Sequence, residues 1–191
     1  MPIGLSAKQL KQWHDDALLY DAYLEMTPEK APPWRENDAK CGLSDSQQAL
    51  LSSFTREMKV LVLSGVWCGD CSSQGPMLEA IAKGSPQIDL RWLDRDEASE
   101  LSKHLSINQG HRVPTAIFMA EDYEPVSVMG DRTLSRYRAI AARQLGASCD
   151  IPRAVIPEHE FNDTLQEWLN EFERVQLLLR LSARLRQKHG D

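Results

Sequence analysis

Two cysteines, Cys68 and Cys71, stand where a strand-like run gives way to a helix-like one, and no other feature limits the fold as much. The run before them, Val60-Leu61-Val62-Leu63-Ser64-Gly65-Val66, is apolar and rich in β-branched residues. The run after them, Ser72 to Lys83, reads as helix. Cys68 therefore falls at the end of a strand, beside the first free amides of a helix. The partial positive charge there favours a thiolate. An unperturbed thiol of pKa about 8.5 is only about 3% ionised at neutral pH. Lowering the pKa to about 7 makes about half of it thiolate, a shift worth about 2 kcal/mol.

The bulk properties set the frame. The chain has 191 residues, 42% hydrophobic and 26% charged, which suits one ordinary core with added segments. A net charge of −6 argues against nucleic-acid or anionic-membrane partners, which call for a basic face. No apolar run reaches the length of a membrane span. The start, Met1-Pro2-Ile3-Gly4-Leu5-Ser6-Ala7-Lys8, lacks the apolar stretch of a secretory signal, so the cytoplasm is the expected compartment. Four cysteines with one close pair do not make a disulfide framework. A zinc site needs two further ligands at suitable spacing. Cys41 and Cys149 are isolated, and His104 and His111 lie elsewhere, so no metal is expected.

The pattern predicts alternating elements. Leu5, Ser6, Gln9 and Leu10 form a helix-start signal, and Leu10, Trp13, Ala17, Tyr20 and Leu24 continue at helical spacing toward Thr27-Pro28. Residues 28–43, with three prolines and Gly42, read as a linker or surface loop. Ser44 and Gln47 open a helix to about Met58. Strand Lys59–Val66 and helix Cys71–Lys83 follow, then strand Ile88–Leu93 and helix Glu97–Leu105. Strands Thr115–Ala120 and Val126–Met129 flank a turn at residues 121–124, and Arg132–Leu145 is helical. From Pro157 a long amphipathic helix carries Phe161, Leu165, Trp168, Phe172, Val175 and Leu179 in steps of four and three. Acids crowd its start and cations its end.

Four features in order resemble the thioredoxin family: Trp67-Cys68-Gly69-Asp70-Cys71, Pro76, Arg112-Val113-Pro114-Thr115, and Gly130 after the second hairpin strand. The resemblance covers residues 44–146. It implies an α/β thioredoxin-like fold, a central mixed sheet flanked by helices. Residues 1–43 then form a helical extension with a linker. Residues 147–191 form a loop and a long helix packed on the core or on the amino-terminal helix.

The resemblance also implies roles. Cys68 is the attacking thiol and Cys71 the buried resolving thiol. Pro114 is cis, and Val113 presents its backbone to an extended substrate, with Trp67 and Gly69 beside the pair. The activity expected is thiol–disulfide exchange on protein or small-molecule disulfides through a mixed disulfide. An electron-donating reductase is the expected partner, and no bound cofactor is needed beyond the redox-active cysteines. Cys41 and Cys149 are expected to be unpaired bystanders.

The chain departs from the family at two places that bear on chemistry. Asp70 replaces a proline between the cysteines. Val62 stands six residues before Cys68, where thioredoxins carry a buried aspartate that helps deprotonate the resolving cysteine. Asp70 is therefore expected to take over part of the proton role. The usual first strand is not evident before residue 59. The competing class is a thioredoxin-like adaptor or chaperone that holds a partner through its helical ends. The carboxyl-terminal stripe is most simply a helix packing on the amino-terminal helix, with a dimer interface or client-binding surface as the sharper alternative.

Overall fold

β1 (Met58–Ser64) runs through the middle of a four-stranded mixed sheet of order β2-β1-β3-β4 in the computed structural model, which describes residues 4–145 and 159–191. β1 pairs in parallel with β2 (Ile88–Asp94), Met58 opposite Ile88 and Ser64 opposite Asp94. It pairs antiparallel with β3 (Thr115–Ala120), which forms a hairpin with β4 (Pro125–Gly130). Both faces of β1 and β3 are covered, so Val60, Leu61, Val62, Ala116, Ile117 and Phe118 are buried without alternation. Gly130 closes the hairpin against the next site segment: a Cβ there would lie 2.7 Å from the Pro114 carbonyl oxygen.

The helices are α1 (Ala7–Asp16), α2 (Tyr20–Glu25), α3 (Pro32–Asp38), α4 (Asp45–Ser52), α5 (Gly69–Lys83), α6 (Ser99–His104), α7 (Leu134–Gln144), α8 (Glu160–Leu181) and α9 (Ala183–His189). Both expected capping boxes form, Ser6 with Gln9 and Ser44 with Gln47. Among the described residues no helix is long and apolar enough to cross a membrane.

Several boundaries differ from the expectation, each through a tertiary contact. The first helix does not continue to Thr27. It ends at Asp16, and Leu18 exchanges two backbone hydrogen bonds with Trp92 at 2.9 and 2.8 Å, covering the outer edge of β2. Among the described residues this bridge is all that precedes β1 in the sheet. The helix opened by Ser44 ends at Ser52, short of Met58. The Thr55 and Arg56 amides then donate to Gln176 Oε1 of α8, and Gln176 Nε2 donates to the Arg56 carbonyl at 3.0 Å.

Residues 28–43 are not a free linker. Pro28–Lys30 form a 3₁₀ turn and Pro32 opens α3, a proline position that sacrifices no helical hydrogen bond. Trp34 of α3 is fully buried and packs edge-on against Trp92, with Tyr20 and Tyr23 completing an aromatic cluster.

The carboxyl-terminal helix is interrupted at Ser182, whose hydroxyl caps α9. Pro157, Glu158 and the preceding loop lie outside the described residues, as does Cys149. The stripe Leu165, Trp168, Phe172, Val175 and Leu179 is buried against α5, α7 and β4, while α1 lies on β1. That stripe packs within the chain. Leu177, Leu178 and Leu181 lie off it and are exposed.

Candidate active site

Three segments meet at the top of β1: the turn from Gly65 into α5, the loop before β3, and the loop between β4 and α7. Cys68 is the N-cap residue of α5, with extended backbone, and Cys71 sits one turn in. Both thiols are free. Cys68 is half-buried and Cys71 fully buried. Trp67 is 49% exposed, and the Arg95 guanidinium stacks over its ring at 4.6 Å. Gly69 is exposed at the first helical position. Val113 and Pro114 are buried across from the pair, joined by a cis peptide bond. In its thiol form Cys68 donates from Sγ to the Val113 carbonyl oxygen at 3.8 Å. Six of the seven residues singled out in the sequence therefore gather at the thiols; the seventh, Asp70, lies between the cysteines with its carboxylate turned elsewhere.

The two thiols are driven in opposite directions. The Cys71 thiol donates toward Cys68 and lowers its pKa to about 6. Burial opposes this, the Cys71 and Asp70 amides at the start of α5 assist it, and the Asp70 charge opposes it. Burial pushes the Cys71 thiol well up, and the neighbouring Cys68 raises it further. Ser64 and the Gly65 backbone pull the other way. The surroundings thus favour the thiolate at Cys68 and the protonated thiol at Cys71.

Asp70 does not point at the thiols. Its carboxylate accepts from Arg132 at 2.8 and 2.5 Å and from Arg136 at 3.0 Å, and Arg136 also reaches Glu160 of α8 at 2.5 Å. Burial disfavours its charge, but these two guanidiniums outweigh burial and hold the carboxyl below the ordinary range. A carboxylate held this way is a poor proton acceptor, so the expected proton role for Asp70 is not what the geometry favours.

Support for α5 comes from residues that sequence reasoning left aside. Trp34 Nε1 donates to the Val66 carbonyl at 2.9 Å, bracing the residue before Trp67. Its ring fills the space over Gly75, where a Cβ would come within 2.1 Å. Pro76 cannot supply the amide that would bond the Ser72 carbonyl, and Asn37 Nδ2 does so instead at 2.9 Å. On the other side Gln74, buried, donates to the Asp131 carbonyl at 3.1 Å and accepts from Trp168 Nε1 at 3.0 Å. The proline itself was the available signal, because a proline inside a helix orphans the carbonyl four residues back.

Two neighbouring features complete the surroundings. A cleft of about 480 Å³ beside Trp67 is lined by Arg95, Asp96, Ser99, Ser102, Lys103 and His111. The His111 ring contacts Ser102 at 3.0 Å. Cys41 is half-buried, and burial, with Asp38 nearby, raises its thiol to about 11, so it is not poised to react. Among the described residues no three His, Cys, Asp or Glu side chains converge as metal ligands.

A family model described as thioredoxin matches residues 18–145, well over half of the chain. The chain belongs to the thioredoxin family. Thioredoxin-1 of Saccharomyces cerevisiae is 29% identical over 86 residues, covering 45% of this chain and 81% of that protein. A thioredoxin H-type of Picea mariana is 25% identical over 103 residues, covering 54% of this chain and 78% of the relative. A Pseudomonas aeruginosa protein of unknown function, of known structure, superposes with a TM-score of 0.66 at 16% identity, covering 90% of this chain and 96% of that one. That likeness is one of fold alone, and it takes in most of the chain. Family and fold together place the chain, by class, among thiol–disulfide oxidoreductases.

Proposed function

We propose that the chain reduces or exchanges disulfides through the Cys68/Cys71 couple, with no bound cofactor. The observation that carries this reading is the opposed poise of the two thiols. Cys68 is accessible and lowered to about 6, whereas Cys71 is buried and raised. At pH 7 a pKa of about 6 leaves Cys68 about nine-tenths thiolate. Cys68 attacks the substrate disulfide and forms a mixed disulfide, and Cys71 then attacks Cys68 and releases the reduced substrate. The substrate's extended backbone lies along Val113 and Pro114, over Gly69 and beside Trp67. A separate reductase returns the electrons, as thioredoxins in general require. The cytoplasm, where thiols are kept reduced, is the compartment this chemistry implies.

An equilibrium redox titration tests the reading. The protein is incubated across a thiol/disulfide buffer series, trapped by alkylation and read by mass. A low thiolate pKa stabilises the reduced form, so the couple is expected above the thioredoxin value of about −270 mV and below the DsbA value of about −120 mV. Loss of all disulfide reduction in Cys68→Ser is expected alongside. A pair that never cycles, or a Cys68→Ser variant that remains active, would overturn the reading.

A further inference from the structure

Two buried hydroxyls near the cysteine pair lack a well-formed hydrogen bond among the described residues. Tyr23 of α2 and Ser64, the last residue of β1, are both fully buried. Among the described residues neither Tyr23 Oη nor Ser64 Oγ closes a hydrogen bond of good geometry, although Ser64 lies within reach of both Tyr23 and Cys71. Burying a hydroxyl uncompensated is unfavourable, and such groups call for a functional explanation. Both lie at the resolving cysteine. Ser64 is the side chain that eases ionisation of Cys71, and Tyr23 senses Ser64 and both sulfurs. Val62, where the family carries an acid, is buried and apolar. Asp70 is committed to Arg132 and Arg136.

We propose that Ser64 and Tyr23 are positioning residues for the resolving step, their hydroxyls turning to donate to the Cys71 thiolate as it forms. The proposal rests on the dithiol reading above. In the free enzyme Cys71 is a thiol, so the hydroxyls are held in reserve. In the mixed disulfide Cys68 carries no charge, which removes the neighbouring negative charge that disfavours ionisation of Cys71. Ser64 Oγ–H then donates to Cys71 Sγ, and Tyr23 Oη–H donates to Ser64 Oγ. A bond forms between Cys71 Sγ and Cys68 Sγ as the bond from Cys68 Sγ to the substrate sulfur breaks. The electron pair leaves on the substrate sulfur. The proton given up by Cys71 to solvent is balanced by one taken up by the departing thiolate. The two cysteines are oxidised, and the substrate disulfide is reduced by two electrons. The titratable groups around this position are Cys68 and Tyr23, with Asp94 beyond Tyr23 at the strand end.

The test separates the two steps. A chromogenic aryl disulfide releases one coloured thiolate when Cys68 attacks and a second when Cys71 resolves. Stopped-flow traces across pH are compared for the wild type, Ser64→Ala, Tyr23→Phe and the double variant. The first phase is expected to match wild type in every variant. The second is expected to slow by about tenfold or more in Ser64→Ala, with its pH profile displaced upward, and less in Tyr23→Phe. Thermal midpoints are expected to be no lower than wild type, since each change removes only a hydroxyl without a well-formed hydrogen bond. A second phase unchanged in rate and pH profile in the double variant would overturn the proposal. A wild type with no first phase would overturn the dithiol reading itself.

Discussion

The two flanks of α5 hold it by different physics. The flank toward α3 and β2 is aromatic and dry: Trp34, Trp92, Tyr23 and Tyr20, with Trp34 braced on the Val66 carbonyl and Asn37 on the Ser72 carbonyl. The flank toward α7 and α8 is ionic around Asp70, Arg132, Arg136, Glu160 and Arg143. Packing fixes where the helix lies, because displacing a buried ring leaves a cavity that relaxes only in part. Partly exposed charges add little to stability, and of this cluster the Asp70 charge acts on Cys68, more weakly than the Cys71 thiol, burial and the helix-start amides. The aromatic flank therefore fixes position, and the ionic flank trims reactivity.

Variants on each flank should separate these effects. Trp34→Ala should lose about 3–5 kcal/mol in urea denaturation, through the cavity over Gly75 and the unpaired Val66 carbonyl. A loss below about 1 kcal/mol would mean that the aromatic flank does not hold the helix. Asn37→Ala should cost about 1–3 kcal/mol by orphaning the Ser72 carbonyl. Part of that loss should return in Asn37→Ala/Pro76→Ala, which restores a backbone donor within α5.

On the ionic flank, Asp70→Asn should change reactivity more than stability. It removes the charge that opposes the Cys68 thiolate and leaves two guanidiniums nearby, so the Cys68 pKa should fall below about 6. Alkylation rate against pH reads this directly, and an unmoved or raised midpoint would break the comparison. The smallest effect belongs to Glu160→Gln. This pair is partly exposed, so a change under about 1 kcal/mol, shrinking further with added salt, is expected.

The signs with pH follow from the same shifts. Asp70 is depressed in the fold, so its contribution is complete above the ordinary carboxylate pKa and is lost as pH falls through its lower folded value. Cys68 is depressed likewise. Its contribution to the reduced protein is complete above the ordinary thiol pKa and disappears as pH falls through about 6.

Much of this was legible in the chain. The order of strands and helices from Lys59 to Leu145 follows from local periodicity. Both capping boxes follow from a serine and a glutamine three residues apart. The resemblance to thioredoxins singled out Trp67, Cys68, Cys71, Val113 and Pro114, because each of its motifs lies within a few residues, and the fold brings them together. Residues 28–43 were not legible. Proline density reads as a loop, and only the burial of Trp34 and the proline-orphaned carbonyl at Ser72 explain a helix there. Asp70 was misleading for a related reason: its partners Arg132 and Arg136 lie more than sixty residues away.

By itself the sequence determined that a strand delivers Cys68 to the first amides of a helix, with Cys71 one turn further in. Local backbone preference suffices for that. Only the tertiary structure decided which groups face the sulfurs. It turned Asp70 away to two arginines, buried Cys71 over Ser64 and Tyr23, and brought the Val113 carbonyl to Cys68. Those choices depend on which distant side chains share a small volume, and short-range sequence preference carries no information about that.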